Sequence, residues 1–169
     1  MTIVKATYTT QKAGAKAAVR YIAHRPGKEG AKITRTLVGN DGVMGRQQAY
    51  RMIDAADEGT YFYRLAISPD PATEDTRKDV HLWEITEQTM LALAERLQHD
   101  ILYVAAEHTD HAPHRHVHVI ALVPKRLTKP DLAALRSAAT EAAVFQRTAR
   151  DVALAQHSRE QEEEQEWER

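Results

Sequence analysis

The stretch DILYVAAEHTDHAPHRHVHVIALV, residues 100–123, decides how the rest of the chain is read. DILYVAAEH (100–108) and RHVHVIALV (115–123) are rich in apolar and β-branched residues and are parted by a short loop at Thr109–Pro113, so both read as strands. Residues two apart in a strand share a face, which puts His114, His116 and His118 in one row with Val117, Val119 and Ala121 behind it. His108 ends the preceding strand and His111 belongs to the loop. Packing alone gives no reason to repeat histidine at period two. Neutral imidazole is a good metal ligand, and its second nitrogen can be held by a carboxylate, for which Asp110 is the nearby group. Two ligands on one strand and a third from a neighbouring strand end make a three-histidine face with coordination positions left open.

Working outward, TIVKATYT (2–9) alternates apolar and polar residues and predicts a strand. Residues 11–24 predict a helix, closed by Arg25-Pro26-Gly27 because a proline disfavours helix before it. AKITRTLVG (31–39) predicts a strand ended by the turn residues Asn40-Asp41-Gly42, and RQQAYRMIDAADEG (46–59) a short helix. TYFYRLAIS (60–68) is strongly β-prone and is cut by Pro69-Asp70-Pro71. A loop containing Trp83 then leads into a helix ending near Leu97 or Gln98. From Thr128 onward, Leu132, Leu135, Ala139, Ala142, Phe145, Ala149 and Val152 follow helical spacing. Five strands with helices between them predict an α+β sheet domain over residues 1–156, with an acidic, solvated or frayed helical tail over 157–169.

The chain has 169 residues and no cysteine, which excludes a disulfide framework and thiol catalysis, fits a reducing cytoplasm, and leaves His, Asp or Glu for any metal. No apolar run is long enough to insert in a membrane. The net charge of −1 hides an asymmetry. Residues 1–51 carry a local +8, whereas residues 151–169 carry −5. A basic first third suggests a polyanionic partner. Lys12, Lys16, Arg20 and His24 recur every fourth residue and form a basic ridge on the predicted helix beside Tyr21.

HTDHAPHRHVHVI (108–120) resembles the third motif of the relaxase/mobilisation nucleases in the HUH endonuclease superfamily, which nick DNA for conjugative transfer. AVRYIAHRPG (18–27) resembles their first motif and YRLAISPD (63–70) their second, in the family's order. The resemblance implies one central, mainly antiparallel sheet of about five strands flanked by helices. It gives the nucleophile role to Tyr21, a DNA contact to Ser68, and metal ligation to His108, His116 and His118. Two alternatives stay open. A proline often precedes the first paired ligand in related motifs, which would select His114, and some relatives use a first-motif histidine as nucleophile, which would select His24. The implied metal is Mg²⁺ or Mn²⁺, although three imidazoles also suit other transition ions.

In the implied reaction Tyr21 attacks a phosphodiester, leaving a 5′-phosphotyrosine and a free 3′-hydroxyl, while the metal offsets the charge that builds up. Asp110 either orients a ligand histidine or helps to deprotonate Tyr21. Lys12, Lys16, Arg20, Arg25 and Arg115 are the expected phosphate contacts. Expected partners are single-stranded DNA at an origin of transfer, relaxosome accessory proteins and a coupling protein. The rival readings are a replication initiator or transposase with the same chemistry, a DNA-binding module that does not cut, and a metal phosphoesterase that forms no covalent adduct.

Overall fold

A computed structural model describes residues 1–110 and 114–167. Six strands form one open sheet in the order β1-β4-β6-β5-β2-β3, and every pairing is antiparallel. They are β1 (Ile3–Thr9), β2 (Leu37–Gly39), β3 (Gly42–Met44), β4 (Tyr61–Ser68), β5 (Leu102–His108) and β6 (His116–Val123). The helices are α1 (Lys12–His24), α2 (Arg46–Asp54), α3 (Leu82–Leu97) and α4 (Lys129–Trp167). The architecture is α+β as expected, with one strand more than the five anticipated.

The sheet separates two apolar cores. On one face, Ala15, Val19, Ile22 and Ala23 of α1 and Ala49 and Ile53 of α2 close over Phe62, Val104, Ala106, Ile120 and Leu122. On the other, Ile85, Met90 and Leu93 of α3 and Leu135, Ala139 and Ala143 of α4 pack on Leu65, Ile67, Val117 and Val119. The period of two along β4 and β6 and the helical spacing along α1 and α4 thus supply each layer with its own buried stripe. Thr128 and Asp131 cap α4 reciprocally. Thr128 N donates to Asp131 Oδ2 (2.8 Å), and Asp131 N donates to Thr128 Oγ1 (3.3 Å).

Three sequence expectations are corrected. The strand expected over 31–39 shrinks to Leu37–Gly39, because residues before it are drawn off the sheet. Arg35 N donates to Ala23 O (2.8 Å) and its guanidinium reaches Asp110. The missing length is made up by β3, which returns through the turn at Asn40-Asp41. Asn40 pins that hairpin, donating from Nδ2 to Ile101 O (2.8 Å) and accepting from Tyr103 N (3.0 Å). Trp83 lies in the first turn of α3 rather than in the preceding loop, and packs against the core as a hydrophobic anchor. Phe145 and Val152, expected on the buried stripe of α4, are 74% and 52% exposed. The buried apolar line is Leu135, Ala139 and Ala143, the buried Gln146 and Arg147 follow it, and α4 continues unbroken to Trp167.

Candidate metal centre

His108 and His116 are paired across β5 and β6, and His118 lies one same-face step along β6 opposite Ala106. All three imidazoles therefore project from one face of the sheet, under the C-terminal end of α1. The ring centroids are 5.3 Å apart for His108–His116, 4.7 Å for His108–His118 and 4.8 Å for His116–His118. One ring nitrogen from each lies within 4.8 Å of the others, close enough to converge on a single ion. The cluster comprises His108, His116 and His118 and leaves out the exposed alternate His114. The loop position of His111 lies outside the described residues.

Tautomers follow from the partners. The carbonyl of Ile22 can only accept, so His108 donates to it from Nε2 (3.0 Å), leaving the Nδ1 lone pair for the site. His116 donates from Nδ1 to the carbonyl of His114 (3.3 Å), leaving Nε2. The Nδ1 atoms of His108 and His118 are buried without a hydrogen-bond partner, as ligand atoms waiting for a cation would be. Burial holds all three imidazoles neutral. It pushes His108 down to about 4, assisted by the Arg35 charge, and His118 to about 3, assisted by His108. His116 is shifted the same way, again chiefly by burial. Three neutral, convergent nitrogens with two unsatisfied lone pairs fit a divalent ion.

Tyr21 precedes Ile22, whose carbonyl holds His108, so α1 carries the phenol to the rim of the cluster. Its ring centroid is 6.5 Å from that of His118, and the residue is 40% exposed. The ring is flanked by guanidinium groups, Arg64 at 4.5 Å and Arg25 at 5.8 Å from its centroid. Sequence reasoning missed Arg64. Its signal was parity: Arg64, Ala66 and Ser68 alternate with the buried Leu65 and Ile67, so a cation is carried on the histidine face of an otherwise apolar strand.

The remaining expected residues are distributed as follows. Ser68 ends β4 beside the cluster and donates to Arg115 O (3.2 Å). His24 has both ring nitrogens engaged: Arg46 can only donate, so Nε2 accepts (3.0 Å) and Nδ1 donates to Thr34 Oγ1 (3.3 Å). Asp110 accepts two hydrogen bonds from Arg35 Nη2 (2.8 and 2.7 Å), at the junction of α1 and β5. Lys12 donates to Asp54 O (2.7 Å) and Lys16 pairs with the Asp54 carboxylate (2.5 Å), so the first half of the basic ridge is tied to the end of α2. Arg115 is bidentate on the buried Asp75 (2.9 Å for both bonds) and also donates to Val80 O (2.7 Å). Only Arg20 and Arg25 of the expected phosphate contacts stand on α1's C-terminal turns with no ion pair among the described residues.

No protein-family model matches the chain, and neither does any curated protein or solved structure.

Proposed function

We propose that the chain is a metal-dependent DNA nickase of the relaxase type, with Tyr21 as nucleophile. The observation that carries this reading is the exposed phenol of Tyr21 at the rim of three convergent neutral imidazoles, with two guanidiniums within 6 Å of its ring. His108, His116 and His118 would hold the ion. A bound divalent ion, Mg²⁺ or Mn²⁺, would supply Lewis acidity towards a non-bridging phosphate oxygen. Arg25 draws the anionic phosphodiester to the phenol and offsets the charge that builds at phosphorus. Tyr21 Oη attacks phosphorus and releases its proton to solvent. The bond from phosphorus to the 3′ oxygen breaks, that oxygen takes up a proton, and the 5′ phosphate stays esterified to Tyr21. Because one ester replaces another, the reverse step rejoins strands at the same site. His24 is a poorer nucleophile here, since its Nε2 lone pair is already covered by Arg46.

The substrate of this reading is single-stranded DNA at an origin of transfer in the cytoplasm, with relaxosome accessory proteins and a coupling protein as partners. No helix among the described residues is long and apolar enough to cross a membrane. Tyr21→Phe tests the chemistry: it removes the attacking oxygen and leaves the histidines and the basic groups in place. The expected outcome is loss of a denaturant-resistant protein–DNA adduct with unchanged single-stranded DNA binding. Turnover that survives the substitution would identify a metal phosphoesterase instead, and binding without an adduct in either protein a non-cleaving module.

A further inference from the structure

The histidine face of the sheet is not covered evenly. Along β1 the even residues Val4 and Ala6 pack into the core under α3 and α4, so Ile3, Lys5 and Thr7 point to the α1 side, and all three are exposed. Cross-strand register places Lys5 opposite Ala66 and Ala66 opposite His118, one row running from the open edge of the sheet to the metal cluster. Lys5 and His118 are two strand spacings apart, about 10 Å. Between them Ala66 offers only a methyl group, so the floor is shallow. The neighbouring row is Thr7, Arg64 and Ile120.

Arg64 is the second observation. It is half-buried on an inner strand, yet its guanidinium makes no hydrogen bond or ion pair to any described residue. Arg35, Arg115 and Arg147 are each satisfied by a carboxylate. A guanidinium 4.5 Å from the Tyr21 ring centroid and without a carboxylate partner among the described residues has N–H donors to offer a phosphate. The elements around it, β1, β4, β6 and α1, contain no Asp or Glu.

We propose that the Lys5–Ala66–Arg64 strip is a binding track for single-stranded nucleic-acid backbone, holding two phosphodiesters next to the one at the histidine cluster, one at Lys5 and one at Arg64. What happens to the strand after binding rests on the nickase reading; the binding itself does not. The test is titration of the metal-free protein, in EDTA, with fluorescent oligo(dT) over a series of KCl concentrations. Lys5→Ala should flatten the dependence of log K on log[salt] by about 0.7, the share of one single-strand phosphate contact, and Lys5→Ala with Arg64→Ala by about 1.4. Arg136→Ala, an exposed cation on α4 in the opposite layer, should leave the slope unchanged. A wild-type slope in Lys5→Ala, or an equal loss in Arg136→Ala, would overturn the track. Lys5 is exposed, so its single variant decides the matter even if the double variant is unfolded. Oligo(dT) in EDTA is not cut, so failure of the nickase chemistry leaves this slope intact. A wild type that forms the tyrosine adduct while Lys5→Ala keeps its slope would lose the track alone.

Discussion

In the last turn of α1 the carbonyl of Ile22 would ordinarily accept the N–H four residues on, but that residue is Pro26, which has none. The helix therefore ends with a carbonyl to spare, and His108 Nε2 takes it at 3.0 Å. One hydrogen bond fixes the tautomer of a ligand histidine and joins the cluster to the residue beside Tyr21. Pro26→Ala supplies a competing donor and should weaken Mn²⁺ binding by about tenfold, the usual effect of losing such a supporting partner, as read by calorimetry. Unchanged affinity would mean that Ile22 does not orient His108. The sequence announced Pro26 as a helix stop and the histidines as ligands, but not their connection. That link depends on a contact between residues 86 apart. Arg64 escaped for a related reason: a single cation in a β-prone run signals nothing until the register shows which face it shares.

Arg115 ties the lead-in of β6 to the loop before α3 through Asp75, with both side chains largely buried (18% and 4% exposed). Lying between His114 and His116, it sets where β6 begins and so where His116 points. Asp75→Ala strands a guanidinium away from its carboxylate and should cost about 3–5 kcal/mol in urea unfolding, with weaker metal binding in the folded fraction. A loss below about 1 kcal/mol, the range of a surface pair, would show the tie to be dispensable. Gly27 has a comparable part at the other end of the site. A Cβ there would overlap the Ile33 side chain, which would have to shift, and would come within 3.4 Å of the Asp110 carboxylate. Strands and helices were largely legible from period and turn residues. What was not legible was which charged residues are occupied inside the fold, since Lys16, Arg115 and Asp110 all find partners distant in sequence.

Across the whole molecule, the depressed histidines make stability depend on pH. His108 and His118 lie well below their ordinary value of 6.5, so the unfolded chain binds more protons than the native one once pH drops through that value. Their contribution is complete above pH 6.5 and is lost as pH falls towards about 4 and about 3. At pH 5 the metal-free protein should be less stable than at pH 7 by on the order of 2 kcal/mol per histidine in urea titrations. His118→Gln should remove part of that dependence, and a flat profile for the native chain would contradict the burial of these groups. Charge is divided on the same scale. The basic first third of the sequence supplies β1 and α1 beside the histidine cluster, whereas the acidic run falls on the C-terminal part of α4. The segregation was visible in the sequence, but its alignment with the metal cluster required the sheet order.

The most direct test of the central claim is to incubate the protein with a random pool of single-stranded DNA and Mn²⁺, isolate any denaturant-resistant adduct, and locate it by peptide mass. The account predicts a 5′-phosphate ester on the peptide containing Tyr21, on the tyrosine itself, and none when EDTA replaces the metal. An ester on His24, or no ester from a protein that binds both Mn²⁺ and DNA, would contradict it.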